Sequence, residues 1–508
     1  MSFTSFYFFC LVAATVILYY IFPVKVRWIV PLVSSCTFIW FANESVKLIL
    51  IMGVSALVAY LTGLFVDKAK SNGKTGKLFV TVGVVLIAVC MLSLKDSNFF
   101  INLYNKVSPN DIPLLSLAAP LGISYYSLTW IGYMLDVYWG TCEVEKNPVK
   151  FLAFATYFPL LTSGPIVKFQ EVGKEITTGH KFDYDHVCFG LQRMVWGLMK
   201  KLCISERLAV IVNTIYGDTE TYQGLYIYIA MICFVVQLYT DFSGCVDIAL
   251  GVAEMLGVAL PENFDLPFLS RNISEFWRRW HITLGGWLRD YILYPILKST
   301  PWQKMGKATK KTFGKKWGKK IPTWCGLFIS WFLIGFWHGG AWNYIIGVGL
   351  LFWAIIVVSE MLEKPVTFVV DKIGFNRDCF SYHAFQVIRT FILFTIGLSM
   401  FRCYNGLGQV KEVWKAAFAI NNPWIFFDDS LYALGLDVKD MHVLWFFMLV
   451  LILSGFIRYY TKKSIRQLVA EQNIVFRWIL YLALFFAVII YGCYGSGYDA
   501  ADFIYQQF

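Results

Sequence analysis

Charge is what this sequence has least of. Of its 508 residues only 15% are charged, and the 33 acids are outnumbered by 44 lysines and arginines, for a net charge of +11. So few ionic groups cannot cover a water-soluble protein of this length, whereas 58% apolar and 18% aromatic residues suit a chain that crosses a bilayer repeatedly. The twelve cysteines form no Cys-x-x-Cys pair. They sit singly in apolar stretches, as Cys10, Cys36, Cys90, Cys233, Cys325 and Cys493 do, and read as small buried hydrophobes. None of the six histidines makes a His-x-x-x-His or His-Glu-x-x-His pair, so no metal site is expected. There is no phosphate-binding Gly-x-x-x-x-Gly-Lys-Ser/Thr loop, no dinucleotide fingerprint and no serine elbow with a matching acid and base, which argues against ATP-driven pumping and serine hydrolysis. No internal repeat can be aligned, which counts against an inverted-repeat transporter.

What is present is apolar sequence. Runs able to cross a hydrocarbon core of about 30 Å lie at 3–22, 28–41, 46–65, 78–94, 112–139, 151–167, 209–216 with its neighbours, 225–239, 324–337, 342–361, 384–401, 443–457 and 476–491. Several are short or broken by Gly and Pro, and roughly eleven or twelve transmembrane helices in one all-α membrane domain, 1–508, are expected. The first run lacks a basic n-region and a distinct cleavage site, so it is expected to stay attached.

Lys25 and Arg27 follow the first run, and Lys68, Lys70, Lys74 and Lys77 follow the third; both groups fall on one side. Taking that side as cytoplasm puts the N-terminus outside. The segment 298–320 carries nine lysines and no acid, and is expected to be a basic cytoplasmic loop, with Arg458, Lys462, Lys463 and Arg466 in another. The positive charge is read as retention at anionic lipid, not as nucleic-acid binding. The lysine loop is also where an acidic carrier protein or coenzyme phosphates would dock.

Polar groups concentrate in the middle. Asp241, Asp247 and Glu254 follow Gln237, with Ser243-Gly244 expected to break the helix between them. Carboxylates at such depth need counter-ions, and Arg271, Arg278, Arg279 and Arg289 are the nearest in sequence. The three acids are read as structural ion-pair partners. The segment 263–295 is expected to be short interfacial or re-entrant helices anchored at the interface by Trp277, Trp280 and Trp287.

Two motifs carry the chemistry: Phe276-Trp-Arg-Arg-Trp-His-Ile-Thr-Leu-Gly-Gly-Trp-Leu-Arg-Asp290 and Gly335-Phe-Trp-His-Gly-Gly-Ala-Trp-Asn343. Each sets a histidine among aromatic residues and glycines in a lipid-loving chain, where an imidazole is costly unless it has a role. Near neutral pH an imidazole can take a proton from a hydroxyl, or accept an acyl group. His180, His186, His383 and His442 have no such surroundings.

With Pro120-Leu-Gly-Ile-Ser-Tyr-Tyr126, Asp136-Val-Tyr-Trp-Gly140, Phe158-Pro-Leu-Leu-Thr-Ser-Gly-Pro165 and Pro261-Glu-Asn-Phe264, these motifs resemble, in order over 120–350, the membrane-bound O-acyltransferase family. The likeness is to its bacterial branch of alginate O-acetyltransferases and teichoic-acid D-alanyl transferases. It implies a helical ring around an acyl-transfer channel. It also implies transfer of an acyl group, acetyl being favoured, from a cytoplasmic thioester such as acetyl-CoA to an extracytoplasmic hydroxyl, with no permanently bound cofactor. His338 matches the family's essential histidine and His281 the second. Asn343, Trp337, Trp342, Arg279, Arg289, Asp241, Asp247 and Asn272 are the expected supporting residues. The implied partners are lipid, the acyl donor, and a polysaccharide or an SGNH-type acetyltransferase outside. After Tyr294-Pro295 this chain has Ile-Leu-Lys-Ser where alginate-type members continue Leu-Gly-Gly-Asn, which leaves the acceptor open. D-alanyl transfer from a carrier protein is the nearest alternative; a polysaccharide-lipid transporter and a non-catalytic scaffold are the alternatives of another class.

Overall fold

The computed structural model describes residues 2–43, 45–374, 376–419 and 421–494. Among these every regular element is a helix, apart from one isolated antiparallel bridge between Phe264 and Trp280. Among the described residues seven helices are long and apolar enough to cross a membrane: Val46–Ser71, Lys77–Lys95, Leu225–Met255, Trp342–Lys372, Phe380–Phe401, Val438–Thr461 and Ile474–Tyr491. Phe6–Ile21 and Ile29–Ala42 are apolar but shorter. The protein is a multi-pass membrane protein.

The remaining apolar runs of the sequence fold otherwise, for local reasons. In the run 112–139 only Ile123–Trp139 is helical, because Pro113 and Pro120 lack the amide hydrogen a helix needs and hold their predecessors extended. The run 151–167 is divided into Pro148–Ala155 and Phe158–Leu161, ending in Gly164-Pro165. The run 324–337 is the second arm of a helical hairpin.

That hairpin corrects the expected basic loop at 298–320. The helix Thr300–Trp337 is interrupted at Gly314, whose φ of 83° and ψ of 171° only glycine tolerates readily, so two arms fold back on each other. Trp302 Nε1 donates to Pro322 O at 3.1 Å across the arms, and Gly318 gives the closest approach: a Cβ there would lie 2.4 Å from Lys310 Cβ. Lys304, Lys307, Lys310, Lys311, Lys315, Lys316 and Lys319 stay exposed on the outer faces. Lysine and alanine favour helix, which is why a charged segment is not a loop.

The chain divides into two compact units. Of the described residues, the first takes in those of 2–203, 241–262 and 461–494; the second takes in those of 204–240 and 263–460.

In the first unit, Tyr184–Leu198 packs closely on the second half of Leu225–Met255. A Cβ on Gly197 would lie 2.5 Å from Gly244 O, and one on Gly251 would lie 2.5 Å from Gly190 O. Contrary to the break expected from the sequence, Ser243-Gly244 does not interrupt its helix; Gly244 is there to admit a neighbour, and the helix runs on.

Candidate active site

The carboxylates of the first unit find partners far away in sequence. Beyond Leu198 the chain continues as a seven-residue π-helix, Met199–Ser205. Consecutive side chains on an α-helix do not face one neighbour, yet here both Lys200 and Lys201 turn to the same helix. Lys200 Nζ donates to Asp247 Oδ2 at 2.7 Å and to Ser243 Oγ at 2.8 Å, while Lys201 Nζ donates to Asp241 Oδ1 at 2.6 Å. Arg193 Nε reaches Asp247 Oδ1 at 2.9 Å, and its Nη1 reaches Glu262 at 2.8 Å. Arg466 pairs with Glu254 at 2.6 Å.

The expected counter-ions were therefore the wrong ones. Arg279 pairs with Glu275 one turn back, and Arg289 with its neighbour Asp290. Asn272 caps the helix Ile273–Arg279 by accepting from Glu275 N. The overlooked signal was two adjacent lysines in the apolar run Met194-Val-Trp-Gly-Leu-Met-Lys-Lys-Leu-Cys203, a placement that calls for buried acids.

The two histidines lie in the second unit. His338 follows the last residue of Thr300–Trp337, and its backbone N–H still donates to Ile334 O. Its ring is buried, edge-on to Phe401 with centroids 5.4 Å apart, and 4.9 Å from the ring of Trp337. Gly335 lets the following segment pass directly over this turn, since a Cβ there would lie 2.6 Å from Ile345 Cα.

His281 stands between Ile273–Arg279 and Ile282–Leu288 with a left-handed backbone, φ 46° and ψ 51°, a conformation that non-glycine residues hold only where their surroundings enforce it. The enforcing group is Asn263. Its carbonyl accepts from Ile282 N, and its Oδ1 accepts from Thr283 N at 3.1 Å and Thr283 Oγ1 at 2.9 Å. A backbone N–H can only donate, so this amide atom is oxygen, and the Nδ1 of His281 lying 3.3 Å from it must carry the ring proton. Nε2 is then the basic nitrogen. Burial pushes the imidazole pKa down to about 3, so the ring is neutral at physiological pH.

Trp337 is the common neighbour of the two imidazoles, its ring centroid 6.2 Å from that of His281 and 4.9 Å from that of His338. Sequence positions 281 and 338 thus converge on one indole. Asn343, expected as a donor toward substrate, is instead fully buried and gives its amide hydrogens to the backbone carbonyls of Met400 and Cys403, at 3.3 and 2.9 Å. It ties the His338 turn to the end of Phe380–Phe401. Trp342 is 39% exposed at the surface of the same turn.

Trp280 and Trp287 are buried, and Trp277 packs against Trp331, Phe352 and Phe394 at centroid distances of 5.0, 5.1 and 5.8 Å. These tryptophans are core, not the interfacial anchors expected from their composition. Trp277 and Trp280 form an aromatic block with Phe264, Phe268 and Phe276, next to His281 in the chain. Among the described residues no group of histidines, cysteines and acids is placed to hold a metal.

The model of the membrane-bound O-acyltransferase family matches residues 144–405, which include both histidines. The chain is 31% identical to a protein described as probable alginate O-acetylase from Pseudomonas syringae pv. tomato, over 80% of this chain and 72% of that one. It is 26% identical to the peptidoglycan O-acetyltransferase of Helicobacter pylori, over 60% of each. It is 28% identical to the teichoic acid D-alanyltransferase of Bacillus subtilis, over 65% of this chain and 82% of the relative.

Proposed function

The chain belongs to the membrane-bound O-acyltransferase family, and from that premise we propose that it carries an acetyl group from cytoplasmic acetyl-CoA to a hydroxyl of an extracytoplasmic polysaccharide or of a partner acetyltransferase. The observation that carries this reading is the convergence of His281 and His338 on Trp337 inside the matched region.

In the reaction, the hydroxyl oxygen of the acceptor attacks the thioester carbonyl, the C–S bond breaks, and the thiol leaves. His338 takes the hydroxyl proton and returns it to the departing sulfur. His281, neutral and with its proton held on Nδ1 by Asn263, presents Nε2 as a hydrogen-bond acceptor beside Trp337. The buried, aromatic surroundings withhold competing water from the thioester. Asp241 and Asp247 act by holding the helix Leu225–Met255 in place, as do Asn272, Arg279 and Arg289 for the short helices around His281. The relatives that act on alginate, peptidoglycan and teichoic acid support an acceptor in the cell envelope.

The test is thioester turnover by purified protein, and acetate on the surface polymer, for wild type, His338→Ala and His281→Ala at matched expression. Loss of transfer by about 10²–10⁴-fold in His338→Ala, with the protein still folded, is expected. Wild-type acylation in that variant overturns the assignment.

The second reading, D-alanyl transfer from a carrier protein, is favoured by the exposed lysine hairpin and the Bacillus subtilis relative. Turnover of a D-alanyl carrier thioester in place of acetyl-CoA decides for it.

A further inference from the structure

We propose that Arg402 anchors an anion subsite that holds a carboxylate or phosphate of the acyl acceptor beside His338. The inference deepens the reading above and rests on it for the identity of the ligand as acceptor.

Arg402 directly follows the helix Phe380–Phe401 and is 8% exposed. Its guanidinium carbon lies over two tyrosine rings, 4.4 Å from the centroid of Tyr404 and 5.1 Å from that of Tyr216. One of its five N–H groups donates to Asn213 Oδ1 at 2.7 Å. Among the described residues no carboxylate pairs with it. Arg193, Arg207, Arg279, Arg458 and Arg466 each have one. Glu412, whose charge is felt at the adjacent Cys403, makes no ion pair with Arg402.

A nearly buried cation without a counter-charge is a costly arrangement unless a ligand supplies the charge. The tyrosine under it brings a second polar group, the Tyr216 hydroxyl, which is buried and has no hydrogen-bond partner. With one N–H anchored on Asn213, the guanidinium keeps four N–H groups of its planar fork for a ligand. That planar fork matches a carboxylate or phosphate in two parallel hydrogen bonds, which a lysine could not reproduce.

The position fits the acceptor. The residue before Arg402, Phe401, packs on His338, and the residue after it, Cys403, accepts the hydrogen bond from Asn343. At about 1.5 Å per residue, His338 lies roughly 27 Å along its helix from Lys320. The subsite is therefore at the end of the helix remote from the lysine hairpin, the end that faces outward if the lysines mark the cytoplasm.

The experiment measures binding of trigalacturonate, sn-glycerol 3-phosphate and neutral maltotriose to purified full-length protein in nanodiscs. Variants are Arg402→Gln, Arg402→Lys, Asn213→Ala and His338→Ala, each checked for monodispersity. Wild type should bind one charged probe at least ten-fold more tightly than maltotriose, and which one identifies the oxyanion as carboxylate or phosphate. Arg402→Gln should erase that preference and Arg402→Lys should restore part of it, while His338→Ala keeps it. If Arg402→Gln does not fold, Asn213→Ala carries the test and should weaken the charged probe alone.

Equal wild-type affinity for charged and neutral probes, or a preference that survives Arg402→Gln, overturns the subsite. So does an Arg402→Gln variant that raises KM for acetyl-CoA and leaves the acceptor preference intact, because the anion is then on the donor. Charge-selective binding that depends on Arg402, in a protein that turns over no thioester, supports the subsite and sinks the acyltransfer reading instead.

Discussion

His281 donates its Nδ1 proton to Asn263 Oδ1 across 3.3 Å, and the same oxygen holds Thr283 by two further hydrogen bonds, so one asparagine sets both the left-handed turn and the tautomer of a buried histidine.

A pH dependence of stability follows. In the folded protein the His281 pKa is depressed to about 3, while in the unfolded chain it is about 6.5. Between those values the native state binds fewer protons than the unfolded one, so stability is complete above about pH 6.5 and declines as the pH falls, by up to about 1.4 kcal/mol per unit. In nanodiscs, thermal unfolding of wild type should move to lower temperature from pH 7.5 to pH 5 by more than that of His281→Asn. Asparagine is the comparison of choice because it accepts the left-handed backbone. Equal shifts in the two proteins rule out His281 as the titrating group.

At Gly335 the constraint is steric. A methyl group there meets Ile345 Cα at 2.6 Å and Tyr344 O at 2.7 Å, both backbone or near it, so the clash cannot be relieved by a rotamer change. Gly335→Ala should cost about 1–3 kcal/mol and displace the His338 turn from Trp337. Lower melting temperature together with lost transfer is the expected result, whereas a fully active and equally stable variant shows that the two segments separate without consequence.

The pair Lys201 and Asp241 tests whether the carboxylates are structural. Both side chains are nearly inaccessible, at 5% and 2%, so removing one partner takes a buried counter-charge from the other, at a cost of about 3–5 kcal/mol. Asp241→Asn and Lys201→Met should each reduce the yield of folded protein, and the double variant should recover much of it. Asp247→Asn should behave like the single variants, since it takes from buried Lys200 its carboxylate partner and leaves Arg193 with Glu262 alone. A folded, inactive Asp241→Asn protein whose loss the second substitution does not repair argues for a direct part in catalysis.

The sequence announced its class and its two histidines because both signals are local: long apolar runs, and imidazoles among tryptophans and glycines. It concealed the rest where tertiary context decides. Trp280 looks like an interface anchor until Phe264, Phe276 and Phe394 are seen around it. Asn343 looks like a substrate donor until Met400 and Cys403, some sixty residues on, take up its amide. The lysine partners of Asp241 and Asp247 come from a π-helix forty or more residues upstream, and nothing near the acids in sequence points to them. Gly314 makes a hairpin of what charge alone marks as a loop.

Orientation is the remaining point on which mechanism depends, and the helix Thr300–Trp337 offers a direct measurement. Its lysine hairpin carries exposed Thr312 at one end, while its other end, at His338, is fastened through Asn343 to the segment holding exposed Asn405. Lysines are retained on the cytoplasmic side by membrane potential and anionic lipid. In intact cells, therefore, a membrane-impermeant thiol reagent should label Asn405→Cys above the wild-type background and should leave Thr312→Cys unlabelled until the membrane is permeabilised. Labelling of Thr312→Cys from outside would invert the molecule. The Arg402 end would then face the cytoplasm and the donor, and acceptor recognition would have to be sought at the lysine hairpin.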